Sequence, residues 1–284
     1  MVTGPTGAGK SDLALAIARA YGAIVVSMDA MQVYRGFDIG TAKVPVADRD
    51  PGQGGVVHRC IDVVEWNEAW SAADFSAEVE RAGAAAPVVI CGGTTFYLRA
   101  WREGLVDAPP VDLEVRARFE ALEDPHAALV AVDPVLAARL HPNDRMRLVR
   151  GLEYHAQTGT PLSAAHAADT REARPCTVIA LDRDDLYDRL DARVVAMMDA
   201  GYLDEVRGLL DRGVPRGARP MQTLGYKHLA AHIEGECSQD EAIRLTQRDT
   251  RHFARRQRGF LRSKLIAPSV DPWPAVRAAW GGTG

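Results

Sequence analysis

Eight residues near the start of the chain restrict its fold more than any others. Gly4-Pro5-Thr6-Gly7-Ala8-Gly9-Lys10-Ser11 satisfies the pattern G-x-x-x-x-G-K followed by Ser or Thr, a phosphate-binding loop. Its glycines let the backbone turn so tightly that successive N–H groups point at one anion. Lys10 adds a positive charge, and Ser11 a hydroxyl able to sit on Mg²⁺. Residues 11–19 read as a helix whose positive N-terminus faces the same phosphates. Such a loop joins a buried strand to a helix. It therefore predicts an α/β fold, a P-loop NTPase-like parallel sheet flanked by helices. The loop specifies a diphosphate or triphosphate and leaves the chemistry open.

The strands that complete the sheet are legible as short apolar runs. Only Met1-Val2-Thr3 precede the loop, less than an ordinary strand of about 5–6 residues, so we expect the first strand to continue upstream of this start. Residues 23–29 form a buried parallel strand that ends in Asp29. Ligands of open α/β sheets bind at that end. Asp29 is thus a holder of Mg²⁺, a general base, or a turn cap. Residues 58–64 and 176–181 read as further strands. Pro87 to Cys91 runs directly into Gly92-Gly93-Thr94, again at the ligand edge. Ser71 and Asp74 have the spacing of a capping box. Helices are expected over 114–122, 133–140, 145–154 and 185–200. We read 111–141 as a small helical insertion, with 1–110 and 142–284 forming the core and its C-terminal helical part.

Composition removes several classes. With a net charge of −4, no global basic field marks a polyanion partner, so any such surface is local. Cys60, Cys91, Cys176 and Cys237 form no C-x-x-C pair, which predicts reduced thiols and no zinc. No apolar run approaches the roughly 20 residues of a membrane span, and no secretory pattern opens the chain. We therefore expect a cytoplasmic protein with no membrane partner.

Two arginine patterns stand out. Arg189 and Arg193 share a face of the 185–200 helix, with Asp185 and Asp188 as possible partners. In the last long helix, read as 238–265, Arg244, Arg248, Arg251, Arg255, Arg258 and Arg262 recur at three- and four-residue steps along one face. Residues 244–264 hold eight Lys and Arg against one Asp. Such a stripe repels itself unless a polyanion covers it.

These motifs, taken in order, resemble the tRNA dimethylallyltransferases, also called tRNA isopentenyltransferases or the MiaA family. The resemblance is carried by the loop 4–11, by Asp29-Ala30-Met31-Gln32-Val33-Tyr34 and by Asp38-Ile39-Gly40-Thr41-Ala42-Lys43. Gly92-Gly93-Thr94, His141-Pro142-Asn143-Asp144 and Gly225-Tyr226-Lys227 complete it. It spans nearly the whole chain. It implies transfer of a dimethylallyl group from dimethylallyl diphosphate to N6 of the adenine 3′ of the anticodon of tRNA, with Mg²⁺ as cofactor, by a monomeric enzyme. By position it implies Asp29 as general base, and Thr6, Lys10, Ser11 and Arg193 as diphosphate and Mg²⁺ contacts. It also implies tRNA contacts at Asp29, Ala30, Met31, Gln32, Thr94 and Arg116. Further tRNA contacts are implied at Met146, Arg147, Leu148, Val149 and Arg150; at Gln222, Thr223, Leu224, Gly225, Tyr226 and Lys227; and at Arg255, Arg256, Arg258 and Arg262. The chain departs from the family in three ways. Ala30 replaces a serine, the Thr-Trp pair expected between Arg256-Gln257 and Arg262 is absent from Arg258-Gly259-Phe260-Leu261, and the insertion is short. No C-terminal zinc finger of the eukaryotic kind is seen, which points to the bacterial type. From the residues alone, a small-molecule kinase and a free adenine-nucleotide prenyltransferase remain alternatives.

Overall fold

Short runs of β-branched residues make the strands, and longer amphipathic stretches cover them. The computed structural model describes residues 1–264 and 266–280. In chain order the first elements are β1 (Val2–Thr3), α1 (Lys10–Tyr21), β2 (Ile24–Ser27), α2 (Val46–Arg49), β3 (His58–Arg59), α3 (Ala72–Ala85), β4 (Val88–Cys91) and α4 (Thr95–Glu103). Five helices follow: α5 (Leu113–Glu120), α6 (Pro125–Val132), α7 (Pro134–Ala137), α8 (Arg145–Thr158) and α9 (Leu162–Ala168). The chain then forms β5 (Ile179–Ala180), α10 (Leu186–Asp199), α11 (Tyr202–Asp211), α12 (Tyr226–Ile233), α13 (Gln239–Ser263) and α14 (Trp273–Trp280). Leu265, the last residue of the expected final helix, lies outside the described residues. No described helix is long and apolar enough to cross a membrane.

The strands form one parallel sheet in the order β3-β2-β4-β1-β5. Parallel strands need crossovers and are buried on both faces. Val2, Val25, Val89 and Ile179 accordingly pack with Ile17 of α1 and Val276 of α14. The expected capping box is present: Asp74 N–H donates to Ser71 Oγ at 3.2 Å, and Ser71 N–H to Asp74 Oδ2 at 2.9 Å. The expected strand 58–64 is cut to two residues. Cys60 and Asp62 adopt positive φ of 61° and 54°, which ends the ladder. Asp62 instead accepts hydrogen bonds from Lys43 and Arg49 at 2.5 and 2.6 Å.

The chain divides into two compact units, 1–102 with 174–284, and 103–173. The second is wider than the expected insertion 111–141. The reason is α8. Its Leu148 and Leu152 pack with Leu129 and Ala137 of the same unit, so α8 belongs here and not to the core expected over 142–284. Glu153 of α8 is fully buried, between Arg116 at 2.8 Å and Arg150 at 3.1 Å.

Within the first unit, Glu205 of α11 joins two motifs far apart in sequence. Its carboxylate accepts from the amides of Asp38, Ile39 and Gly40 at 2.9, 2.7 and 3.2 Å. It also accepts the Tyr226 hydroxyl at 2.6 Å. Removing it strands three N–H donors and a phenol. We expect Glu205→Ala to lower unfolding free energy by about 2–4 kcal/mol, read by urea denaturation. An unchanged midpoint would contradict this account of the motif.

Candidate active site

The phosphate loop lies between β1 and α1 at the carboxyl edge of the sheet. Gly4, Gly7 and Gly9 have φ of 147°, 80° and 89°. At Gly4 a side chain would also run into the Leu181 carbonyl. All three positions therefore need glycine for backbone conformation, and Gly4 for space as well. Lys10 Nζ donates to the Pro5 carbonyl at 2.7 Å, folding the loop around its own lysine. Burial is the main cause holding the Lys10 pKa below its ordinary value, and Cys91 and Asp29 oppose it. Burial raises the Cys91 thiol to about 11, so this neighbour is a neutral thiol and no nucleophile.

Asp29 follows β2 at the same edge. Its Oδ1 accepts from the amides of Met31 at 2.8 Å and Gln32 at 3.4 Å. The turn-cap reading of Asp29 is therefore real, but it occupies one oxygen; Oδ2 makes no hydrogen bond among the described residues. Thr94, after β4, fixes the same turn, its Oγ1 accepting from Ala30 N–H at 3.2 Å. Gln32 ties the turn to the following loop, accepting from Ser27 Oγ at 2.8 Å and donating to the Thr41 carbonyl at 3.1 Å. Gly92 must be a glycine here, since a side chain would meet the Met28 carbonyl.

Arg193 completes the site from α10. Thr6, Lys10, Ser11, Asp29, Gln32 and Arg193 line one cavity of about 580 Å³. The sequence offered Asp185 and Asp188 as partners for the two α10 arginines. Asp185 instead pairs with Arg183 at 2.8 Å. Arg193 makes no ion pair or hydrogen bond among the described residues. Burial, then the like charge of Arg189, hold its pKa below the ordinary value. A half-buried, unpaired guanidinium beside a second arginine is costly unless an anion joins it.

Sequence reasoning passed over one residue of this site. Gln257 of α13 is buried and also lines the cavity. It accepts the Thr6 amide at 2.8 Å and donates to the Gly93 carbonyl at 2.9 Å.

The arginine stripe of α13 needs correction. The expectation of few acids to pair with does not hold. Arg244 pairs with Glu241 at 2.6 Å and Arg248 with Asp249 at 2.9 Å. Arg251 pairs with Asp191, and Arg258 with Asp182 at 2.7 Å. Two of those acids come from elements remote in sequence. Arg255, Arg256 and Arg262 make no ion pair among the described residues, and Arg256 lies over the Phe253 ring.

The remaining expected contact residues divide by exposure. Gln222 is exposed, and Lys227 pairs with Asp249 at 2.8 Å. Tyr226 is fully buried, and the Gly225 φ of 81° lets the backbone pass Tyr202. In the second unit Met146 and Arg147 are exposed. Leu148 and Val149 are buried, so their side chains serve the core. Arg116 and Arg150 engage Glu153.

The family model "IPP transferase" matches residues 32–264, and "Isopentenyl transferase" matches residues 1–48. The chain is 45% identical over 267 residues to tRNA dimethylallyltransferase 1 of Citrifermentans bemidjiense, covering 89% of this chain and 85% of that protein. It is 44% identical to a tRNA dimethylallyltransferase of Symbiobacterium thermophilum, covering 95% and 88% of the two chains. Among solved structures it resembles the tRNA isopentenylpyrophosphate transferase of Bacillus halodurans, with a TM-score of 0.65, 30% identity and coverage of 98% and 92%. It also resembles a eukaryotic dimethylallyltransferase solved acting on tRNA, with a TM-score of 0.78, 25% identity and coverage of 98% and 71%.

Proposed function

Because the chain belongs to the IPP transferase family, we propose that it transfers a dimethylallyl group from dimethylallyl diphosphate to N6 of the adenine 3′ of the anticodon of tRNA. One observation carries the reading. A single cavity brings together the phosphate loop, Arg193 with no partner among the described residues, and Asp29 with one oxygen likewise uncommitted.

The donor's diphosphate binds in the loop, against Lys10 and the first amides of α1, which have no partner within the helix. As the allylic C–O bond breaks, negative charge grows on that diphosphate. Lys10 and Arg193 stabilise it in a partly dry site, where such contacts weigh most. Ser11 and the diphosphate oxygens are hard oxygen donors of the kind Mg²⁺ prefers, with water completing the shell. When bound, the ion would supply further charge neutralisation. The exocyclic amine of adenine is a weak nucleophile because its lone pair is delocalised. Asp29 Oδ2 removes its proton as the new C–N bond forms. Oδ1 stays with the amides of Met31 and Gln32 and keeps the carboxylate aimed. A base stacked in the anticodon loop cannot reach this depth, so the adenine is flipped out into the cavity.

The acceptor is tRNA, held partly by Arg255 and Arg262, which are exposed and make no ion pair among the described residues. Each phosphate contact releases counterions and contributes about 0.7–0.9 to the log–log salt slope. Arg255→Ala/Arg262→Ala is expected to flatten the slope by about 1.4–1.8. Arg251→Ala should leave it unchanged, because Arg251 is spent on Asp191. Filter binding of tRNA across a salt series reads this. An unchanged slope in the double variant removes α13 from the interface. Offering AMP in place of tRNA tests the acceptor: prenylation of AMP as efficient as that of tRNA contradicts the reading.

A further inference from the structure

Gln257 joins three segments that the chemistry uses separately. It is 5% exposed and extends from α13 between the phosphate loop and the end of β4. The orientation of its amide is fixed by chemistry. The Thr6 group is an N–H and the Gly93 group a carbonyl, so the side-chain oxygen must face Thr6 and the nitrogen Gly93. No apolar side chain of similar size can replace both contacts. Gly93 is part of the fit, since a side chain there would run into the Gln257 amide nitrogen.

Beyond Gly93 the connection continues. Thr94 Oγ1 holds the Ala30 amide, and Asp29 caps the same turn. The Thr6 amide is thus withheld from the diphosphate and used as an anchor. The loop that grips the donor and the turn that carries the base are referred to one side chain. We propose that Gln257 is a positioning residue for prenyl transfer, fixing the phosphate loop relative to Asp29. The proposal rests on the donor-site reading above. A misplacement of about 1 Å in such a frame can cost about 10²-fold in rate.

Two variants test it in the full chain. Gln257→Leu keeps the bulk and removes both hydrogen bonds. We expect kcat/KM for dimethylallyl diphosphate to fall by about 10²-fold, with KM for tRNA within about twofold and binding of inorganic pyrophosphate weakened in calorimetry. Gln257→Glu supplies the signature of a positioning role. Protonated, its carboxyl can accept from Thr6 and donate to Gly93, as the amide does. Ionised, it has no donor for Gly93 and sets a negative charge beside the diphosphate site. The charged groups lining the same cavity are Lys10 and Asp12 from α1, Lys43 and Asp48 from the 41–48 segment, Asp29 after β2, and Arg189 and Arg193 from α10, with His58 a further titratable side chain. The Cys91 thiol, raised to about 11 by burial, lines it too; every one of these groups is common to the variants and wild type, so the ratio of activities isolates the new carboxyl. That ratio is expected to fall as pH rises for Gln257→Glu and to stay flat for Gln257→Leu.

A pH-independent ratio for Gln257→Glu overturns the proposal. So does a Gln257→Leu enzyme that loses thermal stability but keeps wild-type KM and kcat. Should Gln257→Leu fail to fold, the Gln257→Glu ratio decides alone. If the wild type transfers no prenyl group to tRNA, the functional reading fails. Pyrophosphate affinity of wild type against Gln257→Glu across pH then still decides whether Gln257 orders the loop.

Discussion

Replacing Asp29 by asparagine is expected to lower kcat for prenyl transfer by about 10²–10⁴-fold, the usual loss when a general base is removed, while pyrophosphate binding stays near wild type. The geometry makes this substitution unusually clean. Asparagine retains the Oδ1 that accepts from Met31 and Gln32, so the turn and its link to Thr94 persist. Only Oδ2, the oxygen without a hydrogen bond, is exchanged for a group that cannot take a proton. The loss therefore falls on kcat and leaves the donor KM nearly unmoved. Stopped-flow or quench measurement of single turnovers reads it. Retention of more than about a tenth of wild-type kcat removes Asp29 from the role of base.

Arg193→Ala is expected to reduce kcat by about 10²–10³-fold, the cost of deleting one group aimed at charge that grows in the transition state. The donor KM should rise as well, because the ground-state diphosphate also carries charge. The sign of the stability change distinguishes this from damage to the fold. Arg193 has no partner among the described residues and is repelled by Arg189. Its removal should leave the melting temperature unchanged or raised, as at other sites where function opposes stability. A fall in melting temperature with kcat unchanged would make Arg193 a structural residue.

What could be read from the sequence was whatever depends on neighbours in the chain. The phosphate loop is a local pattern, and Gly4, Gly7 and Gly9 adopt the left-handed backbone that the pattern requires. Ser71 and Asp74 announce the start of α3 from three residues apart. Asp29 and Gly92-Gly93-Thr94 were legible because apolar runs end there, and parallel strands carry their ligands at that end.

What was illegible depends on pairing across the fold. Glu205 looks like any acid on an amphipathic helix. Its role appears only when residues 38–40 come to rest on it. Gln257 reads as one polar residue in a basic run, although its partners are Thr6 and Gly93. Along α13 and its C-cap, residues 244–264 offer one acid, Asp249, to eight Lys and Arg. Asp191 and Asp182, on other segments, neutralise Arg251 and Arg258. The extent of the second unit was hidden similarly. The apolar face of α8 has the same spacing whether it covers a sheet or packs on Leu129. The short β3 gave no warning either, since the positive φ values fall on Cys60 and Asp62 rather than on a glycine.

Prenylation of one adenine of tRNA from dimethylallyl diphosphate is the reaction assigned to this chain. Its most direct test is to incubate the purified protein with unmodified tRNA, Mg²⁺ and the donor, digest the product and weigh the nucleosides and the anticodon-loop fragments. The account predicts an adenosine heavier by one five-carbon prenyl unit, located 3′ of the anticodon and missing when Asp29→Asn replaces the wild type. Unchanged tRNA, a prenyl group on another base, or transfer that persists in Asp29→Asn would contradict it.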